Sequence, residues 1–250
     1  MSGEPANKSR RTVANAGTTR ARKTGWLLFG TLLGLYLLSG KGFTEILDAE
    51  VYYLLTKALV EEGKVSIRPE LTTAVVPDGE WNPDGRAYSR YGVGYPLVLV
   101  PFYVVGKAVA AGLQGLSPRL TSLDRLVTRT TTSAALAVIT AGTAVAVFYL
   151  AMTLGCGVRA AAWGALGFGL ATYAWPYAKI GFYEPFLSLC LTLTVLWAFV
   201  YKRTGSLWWP GLAGFALGWG LATKLSLGFA TPFVGGYILH AAWRDGCAAR

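Results

Sequence analysis

The charged residues divide the chain into long apolar runs. Six runs without any Asp, Glu, Lys or Arg are as long as a helix that crosses a bilayer: residues 24–40, 130–158, 160–178, 185–201, 204–223 and 225–243. Such a helix needs about 20 apolar residues and at least ~17. We therefore predict an all-α, polytopic helical membrane protein with six spanning helices, the first at 24–40 and five in a bundle at 130–243.

A seventh apolar stretch begins at Tyr91 but is interrupted by glycines, prolines and Lys107. It could cross the membrane, re-enter it or lie along its surface. If the stretch crosses, Glu184 lies on the opposite side from Asp48, and if it does not, the two acids share the outer face. The later connections place five Lys and Arg on the cytoplasmic side in either topology, so the positive-inside rule does not distinguish the two topologies.

A basic tail precedes the first run. Residues 1–23 carry six Lys and Arg against one Glu and are rich in Ala, Gly, Ser and Thr, which predicts a disordered cytoplasmic segment. A cleaved signal peptide is the alternative, but the tail is long for its basic region and residues 39–41 make a weak cleavage site, so an uncleaved anchor is favoured. Residues 244–250 are predicted to form a second, short cytoplasmic tail.

The composition supports a membrane protein and excludes other classes. The chain is 53% hydrophobic and 14% charged, with a mean hydropathy of +0.42, whereas soluble domains carry about 25% charged residues. A net charge of +10 would suggest nucleic-acid binding in a soluble protein, but half of it comes from the tail, and we expect no nucleic-acid partner. Three Cys match neither a metal-ligand spacing nor a disulfide framework.

An outer loop is predicted at residues 41–129. The part before Tyr91 holds nine of the thirteen acidic residues. Its first segment, TEILDAEVYYLLTKALVEEG, has apolar residues near helical spacing and ends at Gly63, which predicts an amphipathic helix on the outer leaflet. The following PDGEWNPDGRAYS is rich in turn residues and leads to the stretch from Tyr91.

Ionisable residues at a membrane boundary are candidates for chemistry because burying them is costly. Asp48 and Glu50 are two apart on the predicted helix and point to different faces, whereas Asp48 and Tyr52 share a face. Only one of the two acids can therefore address a given site. The alternative is that both are solvated acids on an amphipathic helix.

Three further candidates stand at the ends of apolar runs. Arg90, with Tyr88 and Tyr91 beside it, could clamp a phosphate at headgroup depth or serve as a snorkelling anchor. Glu184 precedes a proline and is expected in the first turn of a helix, where the macrodipole favours a carboxylate. Lys224, alone between two apolar runs, is either a phosphate ligand or the polar residue of a turn.

Three segments, taken in order, resemble a known family. They are DAEVYYLLTKALVEEG after the first run, YSRYGVGYPLVLVPFYVVG before an apolar stretch and WPYAKIGFYEPFLSL before a later run. They are similar to segments of polyprenyl-phosphate-dependent membrane glycosyltransferases of the GT-C superfold, relatives of the aminoarabinose transferases and protein O-mannosyltransferases. The resemblance covers residues 26–243, and the order and spacing of the motifs are more specific than any one of them.

This resemblance implies a function on the outer face of the plasma membrane. One sugar, a hexose or pentose, would pass with inversion from a polyprenyl-phosphate donor to a hydroxyl of an acceptor glycan, lipid or protein. The stretch from Tyr91 would be a juxtamembrane or re-entrant helix of the outer loop, so that all candidate residues face outward.

The resemblance also implies roles for individual residues. The acids of the site would be Asp48, Glu50 and Glu184, and the residues that contact the donor phosphate would be Arg90, Lys224, Tyr88 and Tyr91. A first-loop acid would be the general base. Relatives have adjacent Asp and Glu where this chain has Asp-Ala-Glu, so either Asp48 or Glu50 can take this role; Asp48 is preferred.

Relatives of the family continue past this length with further spans, so the chain is expected to be an N-terminal portion or a minimal module. The alternative function is a non-catalytic membrane protein that binds lipid or belongs to a complex. A transporter is a weaker alternative because no inverted internal repeat is visible. An acidic outer site permits a divalent metal cofactor without indicating one.

Overall fold

The computed structural model describes residues 4–42, 46–68, 87–89 and 91–248. These residues form nine α-helices: α1 Glu4–Ser39, α2 Leu47–Glu62, α3 Gly94–Leu116, α4 Asp124–Thr153, α5 Val158–Ala171, α6 Ala174–Ile180, α7 Glu184–Thr204, α8 Trp208–Thr223 and α9 Thr231–Ala248. Two 3-10 turns, Pro118–Leu123 and Leu225–Ala230, lead into α4 and α9. Two short strands, β1 Ser66–Ile67 and β2 Ala87–Tyr88, pair antiparallel with Ser66 opposite Tyr88. The predicted all-α class is confirmed.

Four helical segments in the described part of the chain are long and apolar enough to cross a membrane: Gly94–Leu116, Arg119–Thr153, Glu184–Thr204 and Leu225–Arg244. Three of them match predicted spans, at 130–158, 185–201 and 225–243. The fourth is the stretch from Tyr91 that the sequence leaves open. The remaining predicted spans, at 24–40, 160–178 and 204–223, are not confirmed as single spanning helices.

The predicted span at 160–178 is divided between α5 and α6. Thr172 takes extended backbone angles between the two helices, and its Oγ1 accepts a hydrogen bond from the backbone N–H of Ala174 at 3.1 Å. The Thr172 side chain takes the place of the backbone carbonyl that would accept this N–H in a continuous helix. The chain can therefore turn here without leaving the N–H of Ala174 unsatisfied. Hydropathy does not detect the break because both sides are apolar.

Helix α1 begins at Glu4, inside the tail that the sequence predicts to be disordered, and continues without interruption to Ser39. Residues 4–23 are thus helical in the structure. The repeated Ala, Arg and Lys of this segment are good helix formers, and the apolar run that follows supplies a helix to extend. A composition that excludes a packed core therefore does not exclude a helix.

Helix α4 is the centre of the bundle and packs against α1, α3, α5 and α7. The side chains of Ala135, Ala141 and Ala144 are fully buried along it. Small residues let neighbouring helices approach closely, which is the usual basis of helix packing inside a membrane. Helix α1 lies antiparallel to α4, since Gly25 contacts Tyr149 and Gly42 contacts Thr130.

A helix is present where the sequence predicts one before Gly63, and this helix is α2. It ends at Gly63, which adopts the left-handed conformation (φ 64°). Glycine favours this helix-terminating conformation because it has no Cβ. Its buried face packs on α3, where the Thr56 hydroxyl donates to the carbonyl oxygen of Pro96 at 3.2 Å. At the other end of the contact, the Tyr103 hydroxyl donates to Glu61 at 2.6 Å. Helix α2 therefore has a fixed register against α3.

Candidate functional site

The candidate site is centred on Tyr52, which is 1% exposed and lies on α2. Three other tyrosine rings surround it, with centroids 5.2 Å away for Tyr91, 5.2 Å for Tyr95 and 5.8 Å for Tyr183. Two of these contacts are edge-to-face, an arrangement that aromatic pairs prefer. We call Tyr52, Tyr91, Tyr95 and Tyr183 the tyrosine cluster.

The local sequence explains how these rings meet. Tyr91 and Tyr95 flank a Gly-Val-Gly segment at the start of α3, and both glycines lie against the last residues of α8. A Cβ at Gly94 would be 2.5 Å from the Thr223 hydroxyl oxygen, and one at Gly92 would overlap the carbonyl group of Ala222. The glycines are therefore needed for close approach between α3 and α8.

Two carboxylates lie near the Tyr52 hydroxyl. Burial raises the pKa of this hydroxyl above its ordinary value, neighbouring tyrosines raise it further, and Asp48 and Glu184 add smaller contributions in the same direction. Both acids therefore act electrostatically on one buried group, although they are 136 positions apart in the sequence. The Tyr52 hydroxyl and Oε2 of Glu184 are buried and have no hydrogen-bond partner among the described residues.

Lys224 brings a cation to the cluster from the connection after α8. Its Nζ donates to the Tyr183 hydroxyl at 2.5 Å and lies 4.9 Å from the centre of that ring. This hydrogen bond is the main reason that the pKa of Lys224 is raised above its ordinary value. The side chain itself is exposed, so the ammonium group remains accessible to a ligand.

Glu50 is engaged elsewhere. It accepts a short, charge-assisted hydrogen bond from the guanidinium group of Arg129 on α4, and Arg129 also stacks 4.9 Å from the ring centre of Tyr53. The side chains of Glu50 and Arg129 are 20% and 27% exposed. The two acids of the Asp-Ala-Glu segment thus have different surroundings, as their spacing on a helix predicts.

The structure brings together four of the seven residues that the sequence singles out: Asp48, Tyr91, Glu184 and Lys224. Glu50 lies beside this group in its pair with Arg129. Tyr88 is on β2 and 44% exposed, and no described contact joins it to the tyrosine cluster. Arg90 lies outside the described residues.

Sequence reasoning missed several members of the site. Tyr95 and Tyr183 belong to motifs that were noted without a role for these residues, YGVGYP and GFYEP, and Tyr52 was noted only as the residue that shares a face with Asp48. Arg129 is not among the candidate residues that the sequence indicates. The signal that could have identified Arg129 is its position one residue before a long charge-free run.

Metal ligands are few in this region. Among the described residues, no group of three or more His, Cys, Asp or Glu side chains is arranged to hold a metal ion. Asp48 and Glu184 are the two carboxylates around Tyr52, fewer than a site built from protein ligands alone usually has. No step below depends on a metal.

Comparison with known proteins gives no relative. No protein-family model matches the chain, and no curated protein or solved structure is similar to it.

Proposed function

We propose that the protein transfers a single sugar from a polyprenyl-phosphate donor to an acceptor hydroxyl at the outer face of the membrane. The observation that carries the proposal is the packing of Tyr52, one helical turn after Asp48, against Tyr183, which precedes Glu184 and accepts a hydrogen bond from Lys224. Lipid-phosphate sugar transfer needs these elements, namely a carboxylate base and a cation for the leaving phosphate.

Asp48 is the preferred base because its rival is already paired. Glu50 accepts a hydrogen bond from Arg129, which occupies one of its oxygens and fixes the orientation of the carboxylate. Asp48 shares its helix face with Tyr52 and has no ion pair among the described residues. It would take the proton of the acceptor hydroxyl as that oxygen bonds to the anomeric carbon.

The bond that breaks joins the anomeric carbon to a phosphate oxygen, and the polyprenyl phosphate leaves with its bonding electrons. Lys224 would stabilise the negative charge that develops on this oxygen. Arg90, five residues before Tyr95 in the sequence, is proposed as the second cation at the phosphate, as the motif resemblance implies. Because the acceptor attacks the carbon directly, the transfer inverts its configuration.

The packing of α1 on α4 supports a membrane position for this site. The two helices run side by side from Thr130 to Tyr149, a length of about 28 Å at 1.5 Å per residue, close to the ~30 Å hydrocarbon core. The end at Thr130 lies beside the Glu50–Arg129 pair. We propose that this end faces outward, with the amino terminus in the cytoplasm.

The position of α3 follows from the same packing. Its first residue, Gly94, contacts Thr223 at the end of α8, and Gly106 contacts Thr128 near the start of α4. We propose that the end of α8 and the start of α4 are both at the outer boundary of the membrane. Helix α3, which contacts both, then lies along this boundary although it is long enough to cross the membrane. Six spans then remain, with α5 and α6 together forming one of them.

Cysteine accessibility tests this topology. Ser122 in the 3-10 turn before α4 would be replaced by Cys after the native cysteines are changed to Ser. We expect an impermeant thiol reagent to label it from outside the cell. Labelling only from the cytoplasmic side would separate Asp48 from the outer face and contradict the topology.

A transfer assay tests the function. Membranes containing the protein would be incubated with radiolabelled polyprenyl-phosphate hexoses and pentoses, and product would be measured for Asp48→Asn, Glu50→Gln and Arg90→Gln. We expect Asp48→Asn to reduce transfer by ~100-fold to 10,000-fold, the usual contribution of a general base. The control is Glu62→Gln, which removes an acid at the far end of α2 where it pairs with Arg68. Transfer unaffected by all three site substitutions would favour a non-catalytic membrane protein.

A further inference from the structure

A cavity of about 370 Å³ lies next to the tyrosine cluster, between α4, α5, α6 and α7. This is within the size range of small-molecule sites, ~300–1,000 Å³. Most of its lining is apolar, with Phe168, Tyr177 and Pro185 among the larger contributors. The break between α5 and α6 forms one of its walls, since Thr172 and Ala174 also line it.

Glu184, which follows Tyr183 in the sequence, is the one charged residue in the lining. Its Oε2 is buried and accepts no hydrogen bond from any described residue. An unsatisfied buried carboxylate oxygen costs at least ~1–3 kcal/mol, so a group that donates to it would be bound favourably. The cavity is therefore a binding site with a negative anchor.

The threonines of the lining do not satisfy this oxygen. The hydroxyls of Thr140, Thr143 and Thr172 each donate to the backbone carbonyl four residues earlier, at 2.8, 2.9 and 2.6 Å. They therefore present only lone pairs to the cavity. The hydroxyls of Tyr173, Tyr177 and Ser188 supply donors to the lining, but its one charged side chain is the carboxylate of Glu184, which favours a ligand that carries a positive charge and donates hydrogen bonds.

We propose that this cavity binds an amphiphile with a single ammonium head group, its nitrogen at Glu184 and its apolar body against the aromatic side chains. The ammonium group has three donors, enough for the carboxylate and two threonine oxygens. A phosphate or carboxylate head would be repelled by Glu184. Glu184 also belongs to the site proposed for transfer, but binding is measured without sugar donor or acceptor, so the two proposals can fail separately.

Photolabelling in lipid nanodiscs tests the proposal. The purified full chain in phosphatidylcholine discs would be exposed to a twelve-carbon primary amine that carries a diazirine, and to the alcohol and phosphate of the same chain length. We expect the amine to label peptides of α4, α6 or α7 about tenfold more than the alcohol, because charge-assisted hydrogen bonds are roughly twice as strong as neutral ones. Equal labelling by the amine and the alcohol would overturn the proposal.

Two variants identify the site. Glu184→Gln keeps the shape of the side chain and should reduce amine labelling about tenfold to the level of the alcohol. Ser188→Leu fills the exposed mouth of the cavity without changing its charge and should reduce labelling by both compounds. Glu62→Gln is the matched control on another helix. Amine labelling that is unchanged in folded Glu184→Gln, with folding checked by size-exclusion chromatography, would also overturn the proposal.

Discussion

The ion pair between Glu50 and Arg129 provides the sharpest test of the assignment of the two acids. It joins α2 to α4, and its side chains are 20% and 27% exposed. Charge-assisted hydrogen bonds contribute about 1.5–3 kcal/mol to stability, whereas fully exposed ion pairs contribute about 0.2–1 kcal/mol. For a pair that is about three-quarters buried, we expect a coupling free energy of about 1–2 kcal/mol.

The perturbation is a double-mutant cycle of Glu50→Gln, Arg129→Gln and both together. Each single change should lower the free energy of unfolding, and Arg129→Gln should lower it more because it also removes the stacking on Tyr53, worth ~0.5–2 kcal/mol. The double variant should be more stable than the sum of the single effects predicts, by the coupling of about 1–2 kcal/mol.

The assay is unfolding by dodecyl sulfate in mixed micelles, followed by tryptophan fluorescence. The pair of Arg68 and Glu62 is the control: Glu62 is 17% exposed but Arg68 is 54% exposed, so the guanidinium group is more open to solvent than that of Arg129 and the pair should couple more weakly. Effects of Glu50→Gln and Arg129→Gln that add within ~0.3 kcal/mol would show that the two residues do not interact and would refute the reasoning.

The same variants separate structure from catalysis. Asp48→Asn breaks no ion pair among the described residues and should change stability by less than ~0.5 kcal/mol. It should nevertheless abolish most of the transfer activity. Glu50→Gln should show the opposite pattern, with lower stability and transfer retained in the folded fraction. If Glu50→Gln instead loses transfer while fully folded, Glu50 is the base.

Three further predictions concern packing, the buried hydroxyl and the site cation. Gly94→Ala should lower the free energy of unfolding by ~1–3 kcal/mol, because its Cβ would meet the backbone at the end of α8. Gly112→Ala, on the same helix but with open space around it, should raise the free energy of unfolding by up to ~1 kcal/mol. Equal effects of the two changes in dodecyl sulfate titrations would contradict the packing. Tyr52→Phe removes a buried hydroxyl without a described partner, so stability should be unchanged or higher while transfer falls; lower stability with unchanged transfer would contradict a role in the site. The contact with Tyr183 raises the pKa of Lys224, so its stabilisation is fully present below about pH 10.5 and is lost as the pH rises through the folded value. Thermal melts of Lys224→Met should therefore lie below those of the parent at pH 8 and approach them only above about pH 10.5, and a pH-independent gap would contradict this contact.

The elements that the sequence predicts well are those with a local signal. Helix α2 has apolar residues at a helical period and a glycine at its end, and both features alone determine where it forms. Glu184 was expected in the first turn of a helix because Pro185 favours that position, and α7 begins there. The break at Thr172 was not predicted because it depends on one side-chain hydrogen bond within an apolar segment.

The tyrosine cluster could be predicted only in part. The spacing of Asp48 and Tyr52 places them on one face, but no pattern in a single sequence shows that Tyr183 packs on that face. The contact arises because α7 and α8 run antiparallel, with Thr194 hydrogen-bonded to Ala213, which brings the end of α8 back to the start of α7. Tertiary packing of this kind leaves no periodic trace in the sequence.

Two buried polar atoms without described partners, the Tyr52 hydroxyl and Glu184 Oε2, lie at the same place in the fold. Each unsatisfied buried group costs about 1–3 kcal/mol, and natural proteins keep few of them. Replacing Tyr52 by Phe would remove the unsatisfied hydroxyl, and replacing Glu184 by Gln would remove a partly buried charge, so stability alone does not explain why these side chains are present. A ligand that uses both groups would explain them, since its binding recovers the lost hydrogen bonds. Both groups are therefore better explained by contact with an incoming molecule than by their contribution to stability.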